Sequence, residues 1–251
     1  MRILVTGGCG FIGSHLIKKL LKNKKNIVLN IDIIAKHSSK ESLKDIAYNK
    51  KYKFKKCDIN NYKNLKKIIF EFKPRIIFHL AAESHVDRSI ESSFSFIKTN
   101  ILGTFNLLEI SRIYIAKHKK LKFKFIHIST DEVYGELKQK EKKFIENSPY
   151  FPNSPYSASK ASSDHFVRAW FKTFKLPIII TNCSNNYGPY QNNEKLIPTI
   201  ILNAIANKEI GIYGNGKQIR DWIHVSDHVN ALIKISKKGL VGEKYNIGAN
   251  K

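Results

Sequence analysis

Two carboxylates stand side by side where an apolar run ends. The stretch FIHISTDEVYGE, residues 125–136, is apolar apart from His127 and turns polar at Ser129-Thr130-Asp131-Glu132. Adjacent acids repel and are costly to desolvate, so the pair is either a solvated turn or an acid and a base with separated pKa values. A second reactive pair follows in Tyr156-Ser157-Ala158-Ser159-Lys160. Positions i and i+4 share a helix face, so a Lys160 ammonium can lie beside the Tyr156 phenol and lower its pKa. The phenolate can then take a hydroxyl proton while hydride leaves for a nicotinamide ring. Alone, this pair is a common surface pattern; its place after the acid pair and a glycine turn makes it specific.

That glycine turn is TGGCGFIG, residues 6–13. Gly7, Gly10 and Gly13 are spaced three apart, between a strand pattern and the helical pattern that begins with Phe11 and Ile12. Glycine permits positive φ and close backbone approach, and a helix start offers free N–H groups to a pyrophosphate. Asp32 ends the next strand pattern, about twenty residues on, where a carboxylate accepts a ribose 2′-hydroxyl and repels a 2′-phosphate. The expected cofactor is therefore NAD rather than NADP. Asp58 and Ile59, after a third strand pattern, would lie over the adenine. The segment Leu80, Ala81 and Ala82, after a fourth, has small residues where the backbone could pass close to the cofactor. An ordinary turn acid and simple tight packing are the plain alternatives for these last two sets.

The elements that must position these groups are legible as alternation. Residues 2–6, 26–32, 75–80, 122–128 and 177–183 read as strands, with 53–57 a weaker one. Residues 11–24, 61–72, 93–118 and 157–175 read as helices. Near-continuous apolar strands separated by helices predict an α/β parallel sheet covered on both faces, with ligands at the strands' carboxyl ends. Near residue 185 the composition shifts to Tyr, Pro, Asn and Gly. A helix at 197–207, a turn at YGNGKQIRDW, a helix at 225–238 and a last strand at KYNIG follow. The expected division is a cofactor domain at 1–184, a substrate-facing region at 185–224, and a return to the sheet at 225–251.

The 251 residues carry 44 Lys and Arg against 20 Asp and Glu, a net charge of +24. The lysines are scattered, as in KKLLKNKK, KKYKFKK and KHKKLKFKF, and no nucleic-acid motif accompanies them. A general field that attracts an acidic substrate such as a pyrophosphate is the simpler reading. No apolar run reaches the length of a membrane span, and the start, MRILVTGG, has no export-leader pattern. Three dispersed cysteines make neither a disulfide framework nor a metal site. The expectation is a cytoplasmic protein with no metal, no nucleic-acid partner and no membrane partner.

The segments VTGGCGFIGSHL, NID, CDI, FHLAAESHVDRSI, TNILGTFNLLE, HISTDEVYGE, SPYSASKASSDH, TNCSNNYGPYQ, EKLIP, IYGNGKQIRDWIHVSDH and GEKYNIG run in order from residue 3 to 248. Together they resemble the extended short-chain dehydrogenase/reductase superfamily, closest to its sugar-nucleotide 4,6-dehydratases. The resemblance implies a Rossmann-type doubly wound sheet with a smaller C-terminal substrate region, NAD as cofactor, and dTDP-glucose as substrate, with UDP-glucose the near alternative. It implies that Tyr156 and Lys160 serve oxidation at carbon 4, that Thr130 binds the carbon 4 oxygen, that Glu132 takes the carbon 5 proton, and that Asp131 protonates the leaving hydroxyl on carbon 6. Decarboxylation and epimerisation need no acid at carbon 6, so Asp131 weighs against both.

The resemblance further implies that Thr99 and Asn186 hold NAD. Ser84, Asn185, Lys195, Leu196, Gly211, Ile212 and Tyr213 would contact substrate, and Arg220 would pair with the diphosphate. His85, Asp87 and Arg88 would orient the site or only pack its wall. A homodimer through the long apolar helix at 94–115 and the helix at 157–175 is implied too, the alternative being a helix buried within one subunit. Two departures stand out. The run after Asp32 is IIAKHSS, which points to Ser38 or Ser39 for the cofactor's ribose edge. Family members also continue past the KYNIG strand, so the substrate pocket is expected to be open on one side, and a non-catalytic NAD-binding module is the alternative of a different class.

Overall fold

The computed structural model describes residues 1–35, 38–137, 142–212 and 214–249. In chain order the strands are β1 (Arg2–Thr6), β2 (Ile27–Asp32), β3 (Tyr52–Lys56), β4 (Ile76–His79), β5 (Lys124–Thr130), β6 (Ile178–Cys183), β7 (Asn185–Tyr187), β8 (Trp222–His224) and β9 (Lys244–Ile247). The helices are α1 (Phe11–Leu21), α2 (Tyr62–Phe72), α3 (Val86–Glu91), α4 (Ser93–Phe96), α5 (Gly103–Lys117), α6 (Pro155–Phe174), α7 (Leu196–Ile205) and α8 (Val225–Lys238).

Seven strands form one parallel sheet in the order β3-β2-β1-β4-β5-β6-β9, and β7 pairs with β8 in a small parallel ribbon. This is the Rossmann-type order: the chain moves outward from β1 in one direction, then crosses back to β4 and moves the other way. The crevice at that reversal lies over the carboxyl ends of β1 and β4.

Successive side chains in a strand face opposite ways, and both faces here are apolar. Ile3, Val5, Phe78, Ile126 and Ile179 join one core with Leu16, Ile17, Val229 and Leu232 of α1 and α8. Leu4, Ile77, Phe125, Ile178 and Ile180 join the other with Ile68, Leu107, Leu108 and Val167 of α2, α5 and α6. The expected elements are present with boundaries shifted by a few residues, except for one helix. The weak strand is β3, a half-exposed edge strand.

The single helix expected at 93–118 is a correction. It runs as α4, then a π-helical stretch at Ile97–Leu102, then α5. The buried Asn100 side chain bonds the Glu83 backbone on both its N–H and its C=O and also donates to Ser159 Oγ, at 2.8–3.0 Å. Those tertiary bonds sit at the wide turn, as π stretches near functional sites commonly do. The short α3, the 3₁₀ turn at Glu41–Ile46 and the β7–β8 ribbon were not expected from the sequence.

Candidate active site

β1 delivers the chain into the glycine turn, where Gly7 takes φ +70°. A Cβ on Gly7 would sit 2.6 Å from the Ala81 nitrogen, and one on Gly13 would sit 2.3 Å from the Gly7 carbonyl oxygen. The turn and the Leu80-Ala81 segment thus meet backbone to backbone. α1 starts after Gly10 without a side-chain cap, which leaves its first N–H groups free for an anion. Phe11 and Ile12 open that helix. Asp32 closes β2, buried, and accepts from Cys9 N–H at 2.9 Å, Ile34 N–H at 2.7 Å and Ser38 Oγ at 3.3 Å. A carboxylate has about four acceptor positions, so one remains for a ribose hydroxyl. A cavity of about 220 Å³ lies against Gly10 and Phe11, walled by Ser38, Ser39 and Tyr190. These residues fit a dinucleotide.

Asp58 caps its own turn through Asn60. Ile59 is buried against Gly103. Ala81 N–H donates to Thr6 Oγ1 at 3.2 Å, Ala82 follows it partly buried, and Thr99 lies partly buried in the π stretch. Asn186 is drawn inward: its amide donates to the Ser184 carbonyl at 2.9 Å, and its oxygen lies 2.8 Å from His228 Nδ1. Most of that side chain's capacity is spent within the protein.

β5 carries Thr130 to the sheet's carboxyl end, in register with Cys183 of β6. Thr130 Oγ1 accepts the Glu132 N–H at 3.2 Å and donates to Asp131 Oδ1 at 3.3 Å, which fixes a 3₁₀ turn from Asp131 to Tyr134. The two acids are mostly buried there. Burial, with the Glu132 charge beside it, pushes the Asp131 carboxyl up to about 6. Glu132 is raised too, because its burial outweighs the opposing charges of Lys195 and Arg220. The adjacent carboxyls therefore sit in different fields, one facing a like charge and the other facing two cations.

α6 begins at a Ser154 capping box with Pro155 in its first turn, and it presents Tyr156 toward this turn. The phenol expected to be lowered by Lys160 is instead raised. Burial is the main cause, with the charges of Glu132 and Asp131 adding to it, while a hydrogen bond with Thr130 works the other way. Lys160 is buried, and its ammonium donates to the Ile128 carbonyl at 2.8 Å. In this arrangement burial governs the phenol, and the two acids reinforce it.

The substrate-side residues fall into two groups. Lys195 Nζ donates to the Ser84 carbonyl at 3.0 Å, and Arg88 grips Glu194 with both carboxylate oxygens at 2.6–2.7 Å. His85 Nε2 lies 3.7 Å from the same carboxylate. The 84–88 and 194–196 segments thus meet at the mouth of the site. Asp87 is solvent-facing. Asn185 opens β7 beside Trp222, and Arg220 reaches Glu132 electrostatically. Leu196, Gly211 and Ile212 are exposed, with nothing within 4 Å of a Cβ at Gly211. Tyr213 lies outside the described residues. Among the described residues no group of three His, Cys, Asp or Glu is placed to hold a metal, and no helix is long and apolar enough to cross a membrane.

Sequence reasoning passed over Asn100, Cys183 and Asp164. Cys183, buried beside Asp131 and Lys160, has its thiol pushed up to about 12, chiefly by burial. Asp164 had an available signal: it continues the i+4 spacing of Tyr156 and Lys160.

The family model described as GDP-mannose 4,6 dehydratase matches residues 4–251. A dTDP-glucose 4,6-dehydratase of Neisseria meningitidis serogroup B is 52% identical over 252 residues, 99% of this chain and 71% of that protein. Among solved structures, dTDP-glucose 4,6-dehydratase from Bacillus anthracis in complex with NAD superposes with a TM-score of 0.90 at 43% identity, covering 100% of this chain and 76% of that one. UDP-glucuronic acid 4-epimerase from Bacillus cereus in complex with UDP-glucuronic acid and NAD reaches the same TM-score, 0.90, at 33% identity, covering 100% and 78%. Fold alone thus leaves dehydratase and epimerase together, while identity separates them. The chain belongs to the GDP-mannose 4,6 dehydratase family, within the NAD-dependent sugar-nucleotide dehydratases and epimerases.

Proposed function

We propose that this chain is an NAD-dependent hydro-lyase that converts dTDP-glucose to its 4-keto-6-deoxy product. The 52% identity to a dTDP-glucose 4,6-dehydratase over nearly the whole chain supports the substrate. The observation that carries the reaction is the Thr130-Asp131-Glu132 turn, with Asp131 at about 6 beside Glu132, whose rise on burial Lys195 and Arg220 oppose.

NAD held by the glycine turn, Asp32 and the Leu80–Ala82 segment supplies a hydride acceptor early in the cycle and a hydride donor at its end. The Tyr156 phenolate takes the proton of the carbon 4 hydroxyl. A phenol whose pKa is held high is a strong base once ionised, and Lys160 one turn along is the cation that favours that form. Thr130 holds the carbon 4 oxygen. The resulting ketone acidifies carbon 5, and Glu132 removes that proton. Asp131 gives its proton to the carbon 6 hydroxyl, which leaves as water. Carbon 6 gains the hydride lost from carbon 4, carbon 5 regains a proton from Glu132, and Tyr156 releases its proton to solvent as Asp131 takes one up, so the net change is loss of one water.

A cytoplasmic homodimer belongs to the same reading. Phe94, Ile97, Leu102, Phe105, Phe166 and Phe174 are exposed along α4 to α6, an apolar surface of the kind that marks an interface. The product would feed deoxysugar synthesis of the rhamnose type. The test is parallel incubation with NAD and either dTDP-glucose or UDP-glucose, reading alkaline absorbance of the keto sugar and the mass of the product. Product chiefly from dTDP-glucose is expected. Product chiefly from UDP-glucose would move the assignment to the UDP-sugar enzyme, and none from either would favour a non-catalytic NAD-binding module.

A further inference from the structure

One turn beyond Lys160 on α6 lies a buried carboxylate that the proposed reaction does not use. Tyr156, Lys160 and Asp164 follow one another at i, i+4 and i+8, one stripe of the helix. Lys160 is 4% exposed and Asp164 is 2% exposed. Asp164 Oδ2 accepts from Tyr150 Oη at 2.8 Å and from Asn182 Nδ2 at 3.2 Å. The same Asn182 amide donates to the Thr130 carbonyl at 3.0 Å. Asp164 Oδ1 lies 3.1 Å from His127 Nε2. This side chain therefore ties α6 to the strand end that carries Thr130.

We infer that Asp164 is a positioning residue of the reaction centre, supplying the buried counter-charge that keeps Lys160 protonated one turn from Tyr156. A lysine taken out of water tends to lose its proton unless an anion faces it. Burial does lower Lys160, and Asp164 is the foremost influence in the opposite direction. The other groups that face Lys160 do not supply an anion near neutral pH. His79 of β4 and His127 of β5 are pushed below the ordinary imidazole range, chiefly by burial, and an imidazole, neutral or protonated, supplies no anion. The Cys183 thiol of β6, at about 12, keeps its proton. Burial alone would raise Asp164, but His127, Lys160 and the Tyr150 hydroxyl outweigh it and hold the carboxyl below its usual range. Tyr134 and Lys244 of β9 also face Asp164. The Tyr134 phenol is raised, chiefly by burial, and stays neutral, while Lys244 adds a second cation that favours the carboxylate.

This inference rests on the proposed roles of Tyr156 and Lys160, so its test has a readout that needs no turnover. In the full chain, the Lys160 ammonium is followed by nitrogen-15 NMR against pH, with its signal assigned by its loss in Lys160→Met. The wild type should show a charged ammonium at neutral pH. Asp164→Asn, nearly isosteric, should lower the Lys160 titration by about one to two pH units. The alkaline limb of kcat should move down by the same amount, with KM little changed, and Asp164→Glu should restore most of the shift. An unchanged Lys160 titration in Asp164→Asn, even with a lowered Tm, would overturn the inference and leave Asp164 a packing residue. If Asp164→Asn does not fold, Asp164→Glu and the wild type decide: a neutral Lys160 amine at neutral pH in either one overturns it. Lack of turnover in the wild type would count against the dehydratase reading, and the NMR titration would still judge Asp164.

Discussion

Asn100 donates to Ser159 Oγ at 2.8 Å, joining the π-helical stretch to the helix that carries Tyr156 and Lys160. The same amide group pairs with both backbone groups of Glu83, one residue before the substrate-side Ser84. One buried side chain thus sets the spacing between a mouth segment and the catalytic helix. Asn100→Ala leaves the Glu83 N–H and the Ser159 hydroxyl without that partner. A cost of about 1–3 kcal/mol is expected in urea unfolding, with kcat falling more than the affinity for NAD. Unchanged stability would show that the bonds are replaced by water.

Asp131 yields a prediction with a definite sign. Its pKa of about 6 in the fold lies above the 3.8 of a free aspartate, so the folded state holds the proton more tightly than the unfolded chain. The stabilisation is full below about pH 4 and is lost as pH rises through about 6. Asp131→Asn should therefore be more stable than the parent at pH 7 by about 1–3 kcal/mol, with the difference vanishing below about pH 4. It should also lose about 10²–10⁴ in turnover, because an amide cannot protonate a leaving hydroxyl. Urea melts at several pH values, alongside product assays, check both halves.

Glu132→Gln removes the base and keeps the shape. Water elimination should stop, while oxidation at carbon 4 remains visible as the near-ultraviolet absorbance of reduced nicotinamide on the enzyme. Full turnover in this variant would reassign the base.

Asp32→Ala tests the cofactor end. The carboxylate has one acceptor position left beyond Cys9, Ile34 and Ser38. The substitution should weaken NAD by roughly tenfold or more and NADP much less, since a lost charge-assisted hydrogen bond is worth about 1.5–3 kcal/mol. Equal losses for both dinucleotides, measured by titration, would remove Asp32 from the ribose.

The parallel sheet and most element positions were legible because they rest on local rules: near-continuous apolar strands, a glycine turn, and amphipathic runs between them. The π stretch was not, because it depends on Asn100 reaching residues seventeen positions before it and fifty-nine after it. The short α3 has too few turns to show a period. The field on the Tyr156 phenol was misjudged for a similar reason. Spacing along α6 brings Lys160 near, but the fold buries the phenol, and that burial sets the direction, with Glu132 and Asp131 from the end of β5 adding to it. That the two carboxyls need different fields was legible as a chemical need; that Lys195 and Arg220 act on one of them was legible only in three dimensions.

The most direct test of the central claim, acid–base chemistry at neighbouring carbons by Asp131 and Glu132, is the reaction of dTDP-glucose with NAD in deuterated water. A base that exchanges with solvent and then returns a proton to carbon 5 predicts a keto product that has lost one water and carries one deuterium at carbon 5, and no such product from Glu132→Gln. A dehydrated product without deuterium at carbon 5, or one formed equally well by Glu132→Gln, would contradict it.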